Sequence, residues 1–330
     1  MRRFARPPAR RVPEERPDMT PFYWESAHGN FGDDLNLWLW DFLLPGLREV
    51  HPEVLLVGVG TVLNGKLLPP AGKKLVIGSG YGYGTLPDTN AADWDIRCVR
   101  GPATAKALGL DPSFGVIDPA VMVAEMPEFQ NVPKTGKPIF IPHWESTIGG
   151  IWADVAKAAG LGYVDPCGEA KAVIRSIAGA SLVVAESMHA AIIADAFRVP
   201  WVAVSTSASI NKFKWSDWTE TVGTTYDPLS VPISSRSEAI NKGARFWGTD
   251  YTRPADRPSA ATITQPDPEG DAARLGSTPR RLAKLALAAP AILALRRAKA
   301  AQPQLSQASV LTARKDQFRE VLVEIRRDYF

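Results

Sequence analysis

The chain has 330 residues, of which 45% are hydrophobic and 22% charged, with a formal net charge of +3. That is the balance of a globular protein with room for two medium-sized units, and so small a charge, with the basic residues gathered at the two ends, makes no case for nucleic-acid binding. Two cysteines, Cys98 and Cys167, stand in no metal-ligand spacing, which argues against a disulfide scaffold and a zinc site and fits a reducing, cytoplasmic compartment.

Residues 1–18 are rich in Arg and Pro and lack the apolar core of a secretory signal. They read as a disordered basic arm, and Met19, a candidate start codon, opens the first patterned segment. Pro21–Trp24 is a short strand candidate running into the loop Glu25–Asp34, which holds Asn30, Asp33 and Asp34. A helix is expected from about Leu35, with Leu35, Trp38, Leu39 and Phe42 on one face and Asp33 or Asp34 as its N-cap. Glu53–Val57 and Lys74–Ile77 are the next strands. Both end in glycines, the second in Gly78-Ser-Gly-Tyr-Gly-Tyr-Gly84, where Gly80 and Gly82 would let backbone N–H groups approach a ligand. Asp95–Val99 is a fourth strand with Arg100 at its carboxyl end. Pro102 suits the first position of a helix that closes at Gly109. Phe114–Ile117 reads as a fifth strand and delivers Asp118. These elements make one α/β unit, residues 19–132.

A polar linker leads into a second unit, residues 133–250. Its first strand, Pro138–Pro142, places His143 at its end. Ser181–Ala185 is an apolar strand, Glu186-Ser-Met-His189 a tight connection, the run to Phe197 a helix and Trp201–Val204 the next strand. In such units ligands sit beyond the carboxyl ends of the strands. Ser187 is placed to cap the helix, and His189 falls in its first turn, where anions are favoured. Ser205–Ser209 is a small polar loop leading to Asn211–Trp218, which carries Lys212 and Lys214. Residues 251–278 read as a Pro-rich linker. Pro279–Lys299 is a basic amphipathic helix interrupted at Pro290, suited to pack on the body of the protein or to lie on an anionic membrane. A charged helix over 309–329 closes the chain. No run reaches the length of a membrane span.

Taken in order, these motifs resemble the polysaccharide pyruvyl transferase family, most of all its exopolysaccharide-ketalase branch. The resemblance rests on Tyr23-Trp24, Asn30-Phe-Gly-Asp-Asp-Leu-Asn36, Gly78–Gly84, Val99-Arg-Gly-Pro-x-Thr104 and Leu108-Gly109. It continues through Asp118-Pro119, Pro142-His143, Glu186-Ser-Met-His189 and Lys212-Phe-Lys-Trp-x-Asp217. It implies an α/β fold of two Rossmann-like domains facing a cleft, as in GT-B glycosyltransferases, with a C-terminal helical extension over 279–330. The implied activity moves pyruvate from phosphoenolpyruvate onto two hydroxyls of one sugar, in an exopolysaccharide or its lipid-linked precursor, giving a cyclic ketal. Phosphoenolpyruvate is then a co-substrate, and neither a cofactor nor a metal is called for. A peripheral seat at the cytoplasmic face of the membrane, through 279–299, would accompany a lipid-linked acceptor.

That chemistry fits the residues. A donor with a phosphate and a carboxylate needs fixed cations and N–H groups, for which Arg100, Lys212, Lys214, Ser187, Gly80 and Gly82 are candidates. Protonation of the methylene carbon needs an acid such as His189. Asp34 and Asp118 are the other catalytic candidates, and Asn30, Asp33 and His143 are expected toward the acceptor. Many family members carry Arg-Leu-His where this chain has Ser187-Met-His189, so a donor-phosphate contact expected there must come from elsewhere. The alternatives are a GT-B glycosyltransferase using a nucleotide sugar and a non-catalytic, membrane-associated assembly protein.

Overall fold

Two parallel sheets organise the chain. The computed structural model describes residues 21–26, 29–70, 72–148, 151–252 and 278–330. The basic arm and the part of the linker between 253 and 277 lie outside the described residues.

The first sheet has the order β1 (Pro21–Phe22), β2 (Leu55–Val57), β3 (Lys74–Ser79), β4 (Trp94–Val99), all parallel. β3 is buried along its whole length, as a central parallel strand covered on both faces must be. Between β1 and β2 lie two short helices, α1 (Leu39–Leu43) and α2 (Leu47–Val50). The helix expected from Leu35 begins instead as a 3₁₀ turn over Asp33–Leu37. Its N-cap position is Gly32, not Asp33 or Asp34, and both carboxylates fall in the first turn. The cause is Asn36. Its buried amide donates to the carbonyls of Asp33 and Val59 and accepts from the Val59 N–H and the Trp40 indole, so the side chain takes the place of backbone pairing.

After β4 comes α3 (Pro102–Ala107), with Pro102 at its start as expected. The fifth strand does not form. Phe114–Ile117 contributes a single parallel bridge, Val99 to Gly115, because Asp111 and Asp118 each cap a proline-led 3₁₀ turn, Pro112–Phe114 and Pro119–Glu125, on either side of it. Two proline-led turns five residues apart leave too little chain to pair.

The second sheet has the order β6-β5-β7-β8-β9, again all parallel. Its strands are β5 (Pro138–Ile141), β6 (Gly162–Tyr163), β7 (Leu182–Ala185), β8 (Trp201–Ser205) and β9 (Leu229–Ser230). Interleaved with them are α4 (Trp152–Ala159), α5 (Ala170–Gly179), α6 (Met188–Ala196) and α7 (Lys212–Thr221), and α8 (Arg236–Lys242) follows β9. Alternation along β7 divides the interior: Val183 and Ala185 face one core, Val184 the other. All nine residues of α6 are buried. A helix buried all round must lie between two layers, and α6 packs both on its own sheet and on the Pro119–Glu125 turn of the first unit.

A small hairpin, β10 (Arg245–Phe246) and β11 (Thr249–Asp250), precedes the terminal helices. The basic segment is two helices, α9 (Thr278–Leu287) and α10 (Ala289–Ala300), with Pro290 in the first turn of the second. α10 buries Ala291, Leu295 and Ala298 on the second sheet, while Arg281 pairs with Asp154, and Arg296 and Lys299 donate to the carbonyls of Ala158 and Gly160. The last helix, α11 (Ala308–Tyr329), returns to the first sheet, where Asp328 pairs with Arg97 at 2.6 Å and the Tyr329 hydroxyl donates to Asp95 at 2.6 Å. No helix among the described residues is long and apolar enough to cross a membrane.

Candidate active site

The carboxyl ends of β5, β7 and β8 are tied by one carboxylate. Glu186, the first residue after β7, is fully buried. It accepts from the His143 N–H at 2.9 Å, the Ser146 hydroxyl at 2.5 Å, the Thr206 N–H at 3.2 Å and the Thr206 hydroxyl, and Lys242 of α8 lies 3.2 Å away. Burial disfavours its charge, but Lys242 and the surrounding donors outweigh that and hold the carboxyl down at about 2. Lys242 also reaches Glu238, whose carboxyl burial pushes up to about 7. The three residues form a sealed floor beneath the strand ends.

Three residues beyond Glu186 is His189, the second residue of α6. Ser187 stands at the N-cap position with extended backbone, yet its hydroxyl makes no capping bond. The His189 ring lies against Gly32 so closely that any side chain on Gly32 would overlap it. Its Nε2 stands 3.8 Å from Oδ2 of Asp118. Both atoms are buried and neither has a hydrogen-bond partner. The other oxygen of Asp118 accepts from the Ala120 N–H at 3.0 Å, so Asp118 caps its turn with one oxygen and faces the imidazole with the other. Buried polar atoms are nearly always paired, and two orphans facing each other mark a site.

Asp33 completes the group. It is buried and accepts from the Asn30 amide at 2.6 Å. Burial pushes its carboxyl up to about 6, against the opposing pull of His189 and Lys214. Asp34 turns away: its carboxylate accepts from the Asn30 backbone N–H at 3.3 Å within its own loop. A raised folded-state pKa means that the protonated Asp33 favours folding. Its contribution is complete below the unfolded value near 4 and is lost as pH rises through about 6. Asp33→Asn is therefore expected to gain on the wild type by about 2–3 kcal/mol between pH 4 and pH 8, read as a widening difference in Tm; a difference flat with pH would contradict it.

His143 lies half-buried against the same floor, and desolvation, aided by the Lys214 charge, holds its imidazole well below the ordinary range. Lys214, in the first turn of α7, places its ammonium 5.5 Å from the centre of the Tyr83 ring and is felt by Asp33 and His143 alike. Asn211 caps α7 and donates its amide to the carbonyl of Gly82, which fixes the glycine loop over this helix end.

Arg100 is brought to the same junction, but inward. It is fully buried, pairs with Asp217 at 3.2 Å, and donates to the Thr61 hydroxyl at 2.8 Å and the Tyr81 carbonyl at 3.1 Å. The guanidinium crosses Gly80, where a side chain would collide with it. Asp217 in turn accepts from the N–H and hydroxyl of Thr104. The Arg-Gly-Pro-x-Thr and Lys-x-Lys-Trp-x-Asp motifs thus meet each other. Lys212 is exposed and lines a pocket of about 690 Å³ beside Tyr83 and the Ser205–Asn211 loop. Among the described residues no cluster of three His, Cys, Asp or Glu groups could hold a metal ion.

Asn30, Asp33, Asp118 and His189 therefore converge, with His143 and Lys214 alongside. Glu186, Thr206, Asn211, Asp217 and Lys242 carry the architecture; Glu186 and Asp217 stand in the quoted motifs but were given no role there, and Thr206, Asn211 and Lys242 left no signal.

The family model described as polysaccharide pyruvyl transferase matches residues 29–208. The chain is 62% identical over 318 residues to the succinoglycan biosynthesis protein ExoV of Rhizobium meliloti (strain 1021), an alignment covering 94% of this chain and 100% of that protein.

Proposed function

Since the chain belongs to the polysaccharide pyruvyl transferase family and is a pyruvyl transferase of exopolysaccharide biosynthesis, we propose that its donor is phosphoenolpyruvate and its product a cyclic ketal spanning two hydroxyls of one sugar. The observation that carries this reading is the buried His189–Asp118 pair, with unpartnered Nε2 and Oδ2, next to Asp33 at the N-terminus of α6. In the reaction the first sugar hydroxyl adds to the central carbon of the enol phosphate while its proton passes to a carboxylate. His189 delivers a proton to the methylene carbon, which becomes the methyl group. Phosphate then leaves the central carbon, and the second hydroxyl closes the ring as its proton passes to the now neutral His189, which restores the acid.

Asp33 is the carboxylate assigned to accept the hydroxyl proton, because a carboxyl titrating near 6 can both take and return a proton near neutrality. Asp118 orients the imidazole. Lys214 is the cation assigned to the donor in place of the arginine that many relatives carry before the histidine. It is joined by the N–H groups that open α6. Arg100 holds the framework. The two sheets, with their helices, are read as the Rossmann-like halves of a GT-B-type enzyme.

The acceptor is read as a sugar of the polysaccharide's repeating unit or of its lipid-linked precursor, on the cytoplasmic side. One assay covers both points: phosphate release with phosphoenolpyruvate and repeat-unit oligosaccharide lacking its pyruvate substituent, offered free or as a lipid-linked form in anionic vesicles. Release requiring both substrates is expected, and faster turnover on vesicles supports a membrane seat through 279–299. Equal rates on free and vesicle-borne acceptor would remove the membrane contact, and release of a nucleotide from a sugar nucleotide in place of phosphate would overturn the donor.

A further inference from the structure

The pocket of about 690 Å³ lies where the two halves of the chain meet: Tyr83 comes from the glycine loop after β3, Ser205–Asn211 follows β8, Lys212 opens α7, and Tyr226, Pro228 and Ser230 come from the stretch into β9. Its volume is in the range of sites that enclose a whole small ligand. Its chemistry is uneven in a useful way. The lining offers five aliphatic hydroxyls, two tyrosines and an amide, but one charged group, Lys212, and no carboxylate.

A donor with a phosphate and a carboxylate carries close to three negative charges and calls for several fixed cations. A sugar calls for neutral, directional hydrogen bonds and for apolar ring faces. The pocket fits the second description. Its groups are also held in place. Ser207 and Ser209 bond to each other at 2.8 Å and the Ser205 hydroxyl donates to the Ser207 carbonyl at 3.0 Å. Thr206 is clamped by Glu186 and Lys242. The Tyr226 ring stacks on buried Trp215 with 4.7 Å between centres and 20° between planes. A rigid wall of this kind selects shape rather than adapting to it.

We infer that this pocket seats the acceptor saccharide, with Tyr83 and Tyr226 flanking the sugar and the serine loop reading its hydroxyls. Its position suits the chemistry. Thr206 bonds to Glu186, which stands three residues before His189 in the chain, and Lys214 stands over Tyr83 at the edge of the pocket while acting on Asp33. The donor anion belongs on the Lys214 side and the sugar on the serine side, with the proton-transfer groups between them. Acceptor recognition thereby moves from Asn30 and His143 to the Ser205–Asn211 loop. This inference rests on the pyruvyl-transfer reading for the identity of the sugar, but the calorimetric arm of its test does not.

Two variants test it: Ser209→Leu, which fills the pocket, and Tyr226→Phe, which keeps the stack on Trp215 and removes a hydroxyl. The repeat-unit oligosaccharide lacking its pyruvate substituent is titrated calorimetrically into the full-length wild type and both variants, and KM is measured separately for oligosaccharide and phosphoenolpyruvate. Expected are loss of oligosaccharide binding in Ser209→Leu and a rise of up to about tenfold in oligosaccharide KM in Tyr226→Phe, the effect of one lost hydrogen bond, with KM for phosphoenolpyruvate constant in both. A rise in phosphoenolpyruvate KM with unchanged oligosaccharide binding would make this the donor site and overturn the inference, as would no change in either. If the wild type binds the oligosaccharide through this pocket but releases no phosphate from phosphoenolpyruvate, the pocket assignment stands and the donor falls.

Discussion

Replacing His189 with alanine is expected to lower kcat for acceptor-dependent phosphate release by roughly 10²–10⁴-fold, the range typical for removal of a general acid, with a much smaller change in KM for phosphoenolpyruvate. The expectation follows from where the ring is held. It stands in the first turn of a helix buried on every side, so it has almost no freedom to adjust, and its Nε2 has no partner within the protein except the facing carboxylate of Asp118 at 3.8 Å. Alanine is the best of helix formers, so the variant should fold. Gly32→Ala gives an independent check. It removes no titratable group but forces the imidazole out of the position it now holds, and it should share most of the loss, since misplacement by about 1 Å can cost a hundredfold. A His189→Ala enzyme retaining more than about a tenth of wild-type kcat would remove the residue from the proton-transfer step. A His189→Ala effect confined to KM would instead make it a binding residue.

Strand positions were legible in the sequence because short apolar runs ending in glycine or a charged residue are strong signals for parallel strands. Seven of the strands, β1 to β5, β7 and β8, fell where such runs stand. What the run itself does not encode is whether two neighbours can pair, and Phe114–Ile117 failed for that reason: the capping aspartates and prolines on both sides bend the chain away. β9 was missed for the opposite reason, since its two residues, Leu229 and Ser230, are both exposed and leave no apolar pattern. At the site, motif reading found His189, Asp118, Asp33 and Asn30, which the fold brings together. It did not separate Asp33 from Asp34, because adjacent residues differ only in the direction the turn gives them, and that direction is set by Asn36 bonding to Val59, 23 residues away. Nor could it see the floor of Glu186, Glu238 and Lys242, whose members are ordinary surface residue types until three elements close over them.

Arg100 shows the same limit with the larger consequence for experiment. A charged residue at a strand's carboxyl end reads as a ligand contact, whereas its partner, Asp217, lies 117 positions further on. Both side chains are fully buried. Asp217 satisfies two donors of Thr104 as well as the guanidinium, and the Thr221 hydroxyl donates to the Arg100 carbonyl, so this cluster fastens α7 to the first unit. Removing one member of a buried ion pair strands the other charge away from water, an effect of about 3–5 kcal/mol. Asp217→Asn should therefore lower Tm by roughly 6 °C or more, and Asp217→Ala by further, because Thr104 also loses its acceptor. The double variant Arg100→Met, Asp217→Asn should recover much of that loss, since neither charge is then left unpaired and the asparagine oxygen still accepts from Thr104. Its recovery separates the two accounts of Arg100. If the guanidinium fastens the framework, the double variant melts near the wild type and keeps its KM for phosphoenolpyruvate. A double variant that melts normally but has lost affinity for phosphoenolpyruvate would return Arg100 to the donor site.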